Sequence, residues 1–354
     1  MKESLSGLEL NYLLKELEFL VGSRLDNIYQ PDEKTFIFMF YAGSKGKQLL
    51  KFGSGKYLCI VSDKGEMPEQ PFGFCQNLKK HLESGRLVAI TQRGFERIIE
   101  MDFETKSEKY KLILELFSGG NLILCAGDYR IVSLLKKLET KGRILMHGGK
   151  YTFPNKGLDL YADIHQLTEL LSNHDKEVVK ILAQGLGVGG KIAEELCTIS
   201  GIDKNKKAVS GTEIGKLHNA MHDLLDRPFE PVIVYEEDKP IDALPFGLEI
   251  YKDKKQEKAE SFNAALAKVF AEQVIVKKKK PSRYESEIKR LQVIIDTQSR
   301  QQKQASEEAV KLQKLGENIY ENYQDIKELI ETGKNKEKDN RIKKVAVHKI
   351  TVEI

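Results

Sequence analysis

The residues most suggestive of chemistry are Leu186-Gly187-Val188-Gly189-Gly190-Lys191. Apolar periodicity places them between helices near 176–184 and 190–198, the pattern of a helix-hairpin-helix. Glycines at such a turn let the backbone approach a phosphate closely, and the amides that open the second helix donate to it. A glycine-rich turn between packed helices accounts for the same residues, so both readings stay open. Lys277 to Lys280 form an unbroken basic run, extended by Arg283, Lys289 and Arg290. That run is either a polyanion contact or the solvated start of a helix.

Patterns that would carry catalysis are weaker. Cys59, Cys75, Cys125 and Cys197 are widely spaced with no C-x-x-C pair, which argues against a zinc site or a disulfide framework. Three of them sit in apolar runs, as small buried hydrophobes do. His218 and His222 share a helix face but lack the glutamate of a zinc hydrolase. Gly43-Ser44-Lys45-Gly46-Lys47 and Gly53-Ser54-Gly55-Lys56 lack Walker spacing and a following helix, so both read as hairpin turns. No cofactor and no metal is expected.

The elements that position these residues can be traced along the chain. Ser6-Gly7-Leu8-Glu9 has the form of a capping box, with Glu9 at its N3 position, and leads into a leucine-faced helix that Gly22 stops. Strands are expected over Arg24–Tyr29, Thr35–Tyr41, Gln48–Phe52 and Tyr57–Val61, then a helix over Pro71–Glu83. Four more strands follow, over Leu87–Arg93, Phe95–Phe103, Tyr110–Phe117 and Asn121–Cys125. Two helices among about eight short strands point to an α+β sandwich or split barrel, not an alternating parallel sheet.

Past residues 148–157 the strand pattern gives way to a helical domain. A small β element follows (Pro231–Tyr235, Leu248–Tyr251), then a helix over Ser261–Val274. From Ile288, steps of three and four through Leu291, Ile295, Gln298, Gln302, Ala305, Ala309, Leu312, Gly316, Ile319, Tyr323, Ile326 and Ile330 make a heptad seam whose middle buries little. One helix over 282–331 would span roughly 75 Å. The seam lacks a second strand within the chain, so its partner is expected beyond Ile354 or in a second copy. Val345-Ala346-Val347 and Ile350 to Ile354 read as strand-like. The expected divisions are 1–150, 151–228, 229–280, 281–333 and 334–354.

Composition sets bounds on this. The 354 residues are 31% charged and 40% hydrophobic, with a net charge of +4. No stretch approaches the roughly 20 apolar residues of a membrane span, and no signal peptide opens the chain. A cytoplasmic protein without membrane partners is expected.

Several segments in a fixed order resemble the NFACT family, the group called RqcH in prokaryotes and NEMF in animals. They are Val21 to Pro31, Pro71 to Leu82, Gly94 to Glu100, Gly120 to Leu124 and Asn318 to Tyr323. The resemblance spans essentially the whole chain. It implies an amino-terminal domain similar to that of the formamidopyrimidine-DNA glycosylases, then a helix-hairpin-helix domain and a coiled-coil arm.

The same resemblance implies binding to large ribosomal subunits obstructed by a peptidyl-tRNA nascent-chain complex. A tRNA, alanine tRNA in prokaryotes, is recruited for template-free tailing, and the ribosome itself forms the bonds. The factor is then no enzyme. The family's functional aspartate and Asp-Arg pair fall on Glu9, Glu96 and Arg97, with glutamate replacing both aspartates. Arginine suits bidentate phosphate recognition and base stacking. As plain structure, Glu9 completes a capping box, and Glu96 with Arg97 is half of a surface ion pair. Arg24, Lys79 and Lys80, with Gly187, Gly189 and Lys191, are further candidate RNA contacts.

Two other functions fit parts of the pattern. A DNA-repair glycosylase would use an amino-terminal proline, where this chain has Lys2. A surface adhesin fits relatives labelled fibronectin-binding, but needs an export signal.

Overall fold

The computed structural model describes residues 2–140, 142–154, 157–172, 175–278, 283–335, 338–346 and 349–352. It divides into two compact units, Met1–Ile275 and Val276–Ile354. Lys279 and Lys280 of the basic run, Asn155, Lys156, Val347 and Ile354 lie outside the described residues.

The first unit opens with helix α1 (Gly7–Leu17). Strands β1 (Arg24–Asp32), β2 (Thr35–Tyr41), β3 (Lys47–Gly53) and β4 (Tyr57–Val61) follow, then α2 (Gly73–Leu82). After these come β5 (Arg86–Gln92), β6 (Ile98–Glu104), β7 (Lys109–Glu115), β8 (Asn121–Ala126) and β9 (Ile131–Leu134). All nine strands form one sheet, ordered β4-β3-β2-β1-β5-β6-β7-β8-β9, with every neighbouring pair antiparallel.

This sheet curls back on itself. Strands β2 and β6 are three spacings apart, about 14 Å in a flat sheet. Yet the Phe40 and Phe103 rings stack with centroids 6.3 Å apart. The β3–β4 and β7–β8 turns also touch, so closely that a Cβ on Gly120 would fall 2.0 Å from the Gly55 nitrogen. Phe36, Phe38, Phe40, Phe52 and Phe103 fill the interior, completely buried or nearly so. Strand β9 was not foreseen, nor was the hairpin β10 (Leu138–Thr140) with β11 (Arg143–Leu145). Each is four residues or fewer, too short for alternation to stand out.

A helical layer follows: α3 (Ile164–Leu171), α4 (Val178–Gly185), α5 (Gly189–Ser200) and α6 (Gly211–Leu225). Next is a three-stranded sheet of β12 (Val232–Glu236), β13 (Lys239–Leu244) and β14 (Lys255–Lys258), then helix α7 (Phe262–Lys278). The nine-stranded sheet, this layer and the small sheet share one continuous core, in which Leu13, Leu196, Leu217 and Val234 are all buried.

Two expectations fail locally. Leu248–Tyr251 is not a strand, and Glu249–Tyr251 forms a 3₁₀ turn. The buried Glu195 carboxylate accepts from the Glu249 amide (3.0 Å) and the Ile250 amide (3.1 Å), taking donors that a ladder would need. Strand β6 begins at Ile98 rather than Phe95. The Gln92 side chain donates to the Glu96 carbonyl (2.9 Å) and the Gly7 carbonyl (2.7 Å), which holds 95–97 as a turn.

In the second unit the long helix is interrupted, as α8 (Arg283–Glu321) and α9 (Tyr323–Lys334). At Asn322 the side chain donates to the Asn318 carbonyl (2.9 Å), beside its own amide's bond (3.1 Å), a competition that bends helices. The hairpin β15 (Ile342–Ala346) and β16 (Lys349–Val352) packs on α9. Large seam residues of α8 are exposed, among them Leu291, Ile295, Leu312 and Ile319. Among the described residues no helix is long and apolar enough to cross a membrane.

Candidate RNA-binding cleft

Helix α1 sets the floor of a deep cleft. Ser6 caps it, and the predicted box is present: the Glu9 amide donates to the Ser6 hydroxyl (3.3 Å) and the Ser6 amide to the Glu9 carboxylate (2.7 Å). Leu8, Leu10, Leu13 and Leu17 are buried beneath it. Gly7 lies against the β5–β6 turn, where an added Cβ would sit 1.6 Å from the Phe95 carbonyl oxygen. Only glycine permits that approach. It fixes the distance from Glu9 to the Glu96-Arg97 turn.

The capping role leaves one Glu9 oxygen for a second task. Lys2 Nζ donates to Glu9 Oε1 (2.6 Å), to Asp242 Oδ1 (2.8 Å) and to the Ala243 carbonyl (2.9 Å). Lys191 closes the ring with Asp242 and with Glu9 Oε1 (3.5 Å), and the Tyr251 hydroxyl donates to Asp242 Oδ2 (3.0 Å). Lys2, Glu9 and Asp242 are almost wholly buried. Burial alone would raise both carboxyl pKa values, but the two ammonium groups outweigh it. Glu9 ends below the usual range and Asp242 at about 2. Burial disfavours the Lys191 cation, while Glu9 and Asp242 hold its pKa above normal. Two cations and two anions thus neutralise one another within the floor.

The opposite wall is different. Arg97 is half-buried and donates to the Ser4 hydroxyl (3.2 Å), and no described carboxylate pairs with it. Burial lowers its pKa, yet a guanidinium stays charged. Gly187 (φ +64°) and Gly189 (φ +78°) shape the turn into α5, whose first residues Gly189, Gly190 and Lys191 also line the cleft. The cleft encloses about 700 Å³. Beside it Tyr161, 72% exposed, rests on the Phe95 ring at 5.4 Å. Among the described residues the lining carries three cations (Lys2, Arg97, Lys191) and five carboxylates (Glu3, Glu9, Glu96, Asp159, Asp242). Of these three cations, Arg97 is the one that the floor does not neutralise.

The structure therefore brings Glu9, Glu96, Arg97, Gly187, Gly189 and Lys191 into one cleft, although 182 residue positions separate Glu9 from Lys191. Arg24, Lys79 and Lys80 do not line it. Lys79 lies 5.6 Å from the Tyr29 ring on the α2 side of the sheet. Lys2, Ser4, Asp242 and Tyr251 were missed. Asp242 left one trace, a lone carboxylate within the apolar run Ile241 to Leu244; Lys2 left none.

The remaining motifs are structural. All four cysteines are buried, and burial pushes the Cys59 and Cys125 thiols up to about 12, far from a thiolate nucleophile. His218 and His222 stack edge to face at 4.6 Å, and among the described residues no cluster of His, Cys, Asp or Glu could hold a metal ion.

Comparison with known proteins agrees with this layout. A family model described as NFACT N-terminal and middle domains matches residues 6–351. The archaeal Rqc2 homolog aRqcH of Methanocaldococcus jannaschii is 32% identical over 348 residues, covering 93% of this chain and 52% of that protein. Ribosome quality control complex subunit 2 of Saccharomyces cerevisiae is 37% identical over 190 residues, 51% of this chain and 18% of that protein. The chain thus spans about half the length of its archaeal relative. Among solved structures, the fibrinogen binding protein from Staphylococcus aureus superposes with a TM-score of 0.62 at 21% identity, covering 74% of this chain and 97% of that one. The N-terminal part of the fibronectin/fibrinogen-binding protein from Streptococcus suis gives 0.60 at 21%, covering 76% and 99%. At that identity the likeness is one of fold. With a single family model matching nearly every residue from α1 to β16, this chain belongs to the NFACT family.

Proposed function

We propose that this chain is the amino-terminal part of a ribosome quality-control factor. It binds obstructed large ribosomal subunits and recruits a tRNA, alanine tRNA foremost, for template-free tailing of the stalled nascent chain. Family membership and the names of the archaeal and yeast relatives support the general role. One observation supports the tRNA step: among the described residues Arg97, half-buried at the cleft, has the Ser4 hydroxyl as its side-chain partner, leaving guanidinium donors for a base edge or a phosphate.

In this reading Glu9 acts indirectly. Its carboxylate is used up by Lys2, Lys191 and the Ser6 amide, so it positions α1 and α5 around Arg97 and does not meet RNA itself. Glu96 holds the turn that presents Arg97. The amides at the start of α5 are backbone donors to the same ligand. The α8 seam pairs with a second helix, from the rest of the protein or another copy. The amino-terminal sheet is of the formamidopyrimidine-DNA glycosylase type without that chemistry. Lys2 stands where those enzymes have the nucleophilic proline, and its ammonium is ion-paired to two carboxylates.

The test is retention of tRNA on purified large subunits by the parent protein and by Arg97→Ala. About tenfold weaker retention by the folded variant is expected. Equal retention would remove Arg97 from the site, and recovery of neither subunits nor tRNA would end the reading.

A further inference from the structure

Among the described residues that line the cleft carboxylates outnumber cations, which favours a further surface for the RNA backbone. Strand register supplies one. Lys47 pairs with Tyr41, Tyr41 with Arg24, Arg24 with Arg86, Arg86 with Glu104, and Glu104 with Lys109. Residues directly opposite one another share a face of the sheet. These six therefore form one row across β3, β2, β1, β5, β6 and β7, and all six are exposed. Five strand spacings make the row about 24 Å long.

Its composition is not what folding alone favours. Arg24 and Arg86 face each other across the β1–β5 junction, and like charges directly opposite are destabilising. The neighbouring acids only partly relieve this. Asp26 reaches Arg24 at 3.4 Å, while Glu104 lies nearer Lys109 (3.6 Å), and Arg86 turns its Nε to the Gly22 carbonyl (3.0 Å). An anion between the two guanidiniums would satisfy both. Tyr41, 60% exposed, stands between Lys47 and Arg24, where a flat ring offers a stacking face for a base.

We propose that the row Lys47–Tyr41–Arg24–Arg86 is a second RNA-binding surface, taking the phosphate backbone of a single-stranded RNA segment with one unpaired base on Tyr41. Charge complementarity and the interleaved aromatic favour RNA over an acidic protein segment. The proposal rests on the RNA-binding reading above but assigns it a different surface: the row supplies affinity without sequence preference, and Arg97 supplies selection.

Fluorescence anisotropy with labelled tRNA, labelled oligouridylate and labelled polyglutamate separates the outcomes. Arg24→Ser with Arg86→Ser should weaken both RNAs by about tenfold and lower the slope of log affinity against log salt by about 1–2. Its melting temperature should not fall, because a repulsion is removed. Tyr41→Ala should weaken oligouridylate several-fold with the slope unchanged. Unchanged RNA affinity and slope in the double variant would overturn the row. So would loss of polyglutamate binding with RNA binding intact. In the same assay Arg97→Ala should affect tRNA alone. If the parent chain binds oligouridylate but retains no tRNA selectively, the row stands and the quality-control reading falls; if it binds neither RNA, both fall.

Discussion

The floor and the wall of one cleft hold charged side chains in opposite physical states. At the floor, Glu9, Asp242, Lys2 and Lys191 satisfy one another out of water. On the wall, the described side-chain partner of Arg97 is one neutral hydroxyl beside the open cleft. The resemblance places Glu9 and Arg97 in one functional set, yet their surroundings give them different tasks. A buried ion pair adds little over an apolar pair of the same shape, but removing one partner strands the other's charge. The floor is therefore sensitive for stability and the wall for binding.

The largest effect should come from breaking the floor. Lys2→Met leaves two buried carboxylates with one cation, and a loss of about 3–5 kcal/mol is expected in denaturant unfolding at neutral pH. A loss below about 1 kcal/mol would show that the floor is not closed. Gly7→Ala should follow, at about 2–3 kcal/mol, because the new methyl overlaps the Phe95 carbonyl and backbone must move. It should also reduce tRNA retention, since the turn carrying Arg97 shifts with it.

Acid should reach the floor next. Asp242 is depressed from 3.8 to about 2, and Glu9 is lowered as well. For Asp242, bound protons favour the unfolded chain, so its stabilisation is complete above about pH 5 and is lost as pH falls toward 2. This amounts to on the order of 2 kcal/mol. Stability measured from pH 5 to 2 should fall less steeply in Asp242→Asn than in the parent. Arg97→Ala should then cost only about 0.5–1.5 kcal/mol, one hydrogen bond, while abolishing most tRNA retention. Leu312→Ser, on the exposed face of α8, should leave the melting of this chain unchanged within about 0.5 kcal/mol. It would matter only once a partner helix covers the seam.

Local patterns are legible where they are long and regular. The strands Thr35–Tyr41 and Tyr57–Val61 and the capping box at Ser6 and Glu9 appear where they were expected. The paired helices around Gly187 and Gly189 do too. Strand β14, Lys-Gln-Glu-Lys, was not legible, because its pairing with β12 and not its side chains makes it a strand. The turn at Glu249–Tyr251 resembled a strand until the carboxylate of Glu195, 54 positions away, took its amides.

The sequence alone determined which segments bury an apolar face, where helices start and stop, and the family to which their order points. These depend on residues within a few positions of one another, whose geometry the chain itself sets. Only the tertiary structure decided that Lys2 meets Asp242, 240 positions away, and that Glu9 is sealed while Arg97 is open. It also decided that Arg24 and Arg86 face each other. The physical reason is that burial and strand register belong to the packed chain. The same charged residue stabilises, binds or repels according to which neighbours that packing brings within a few ångströms.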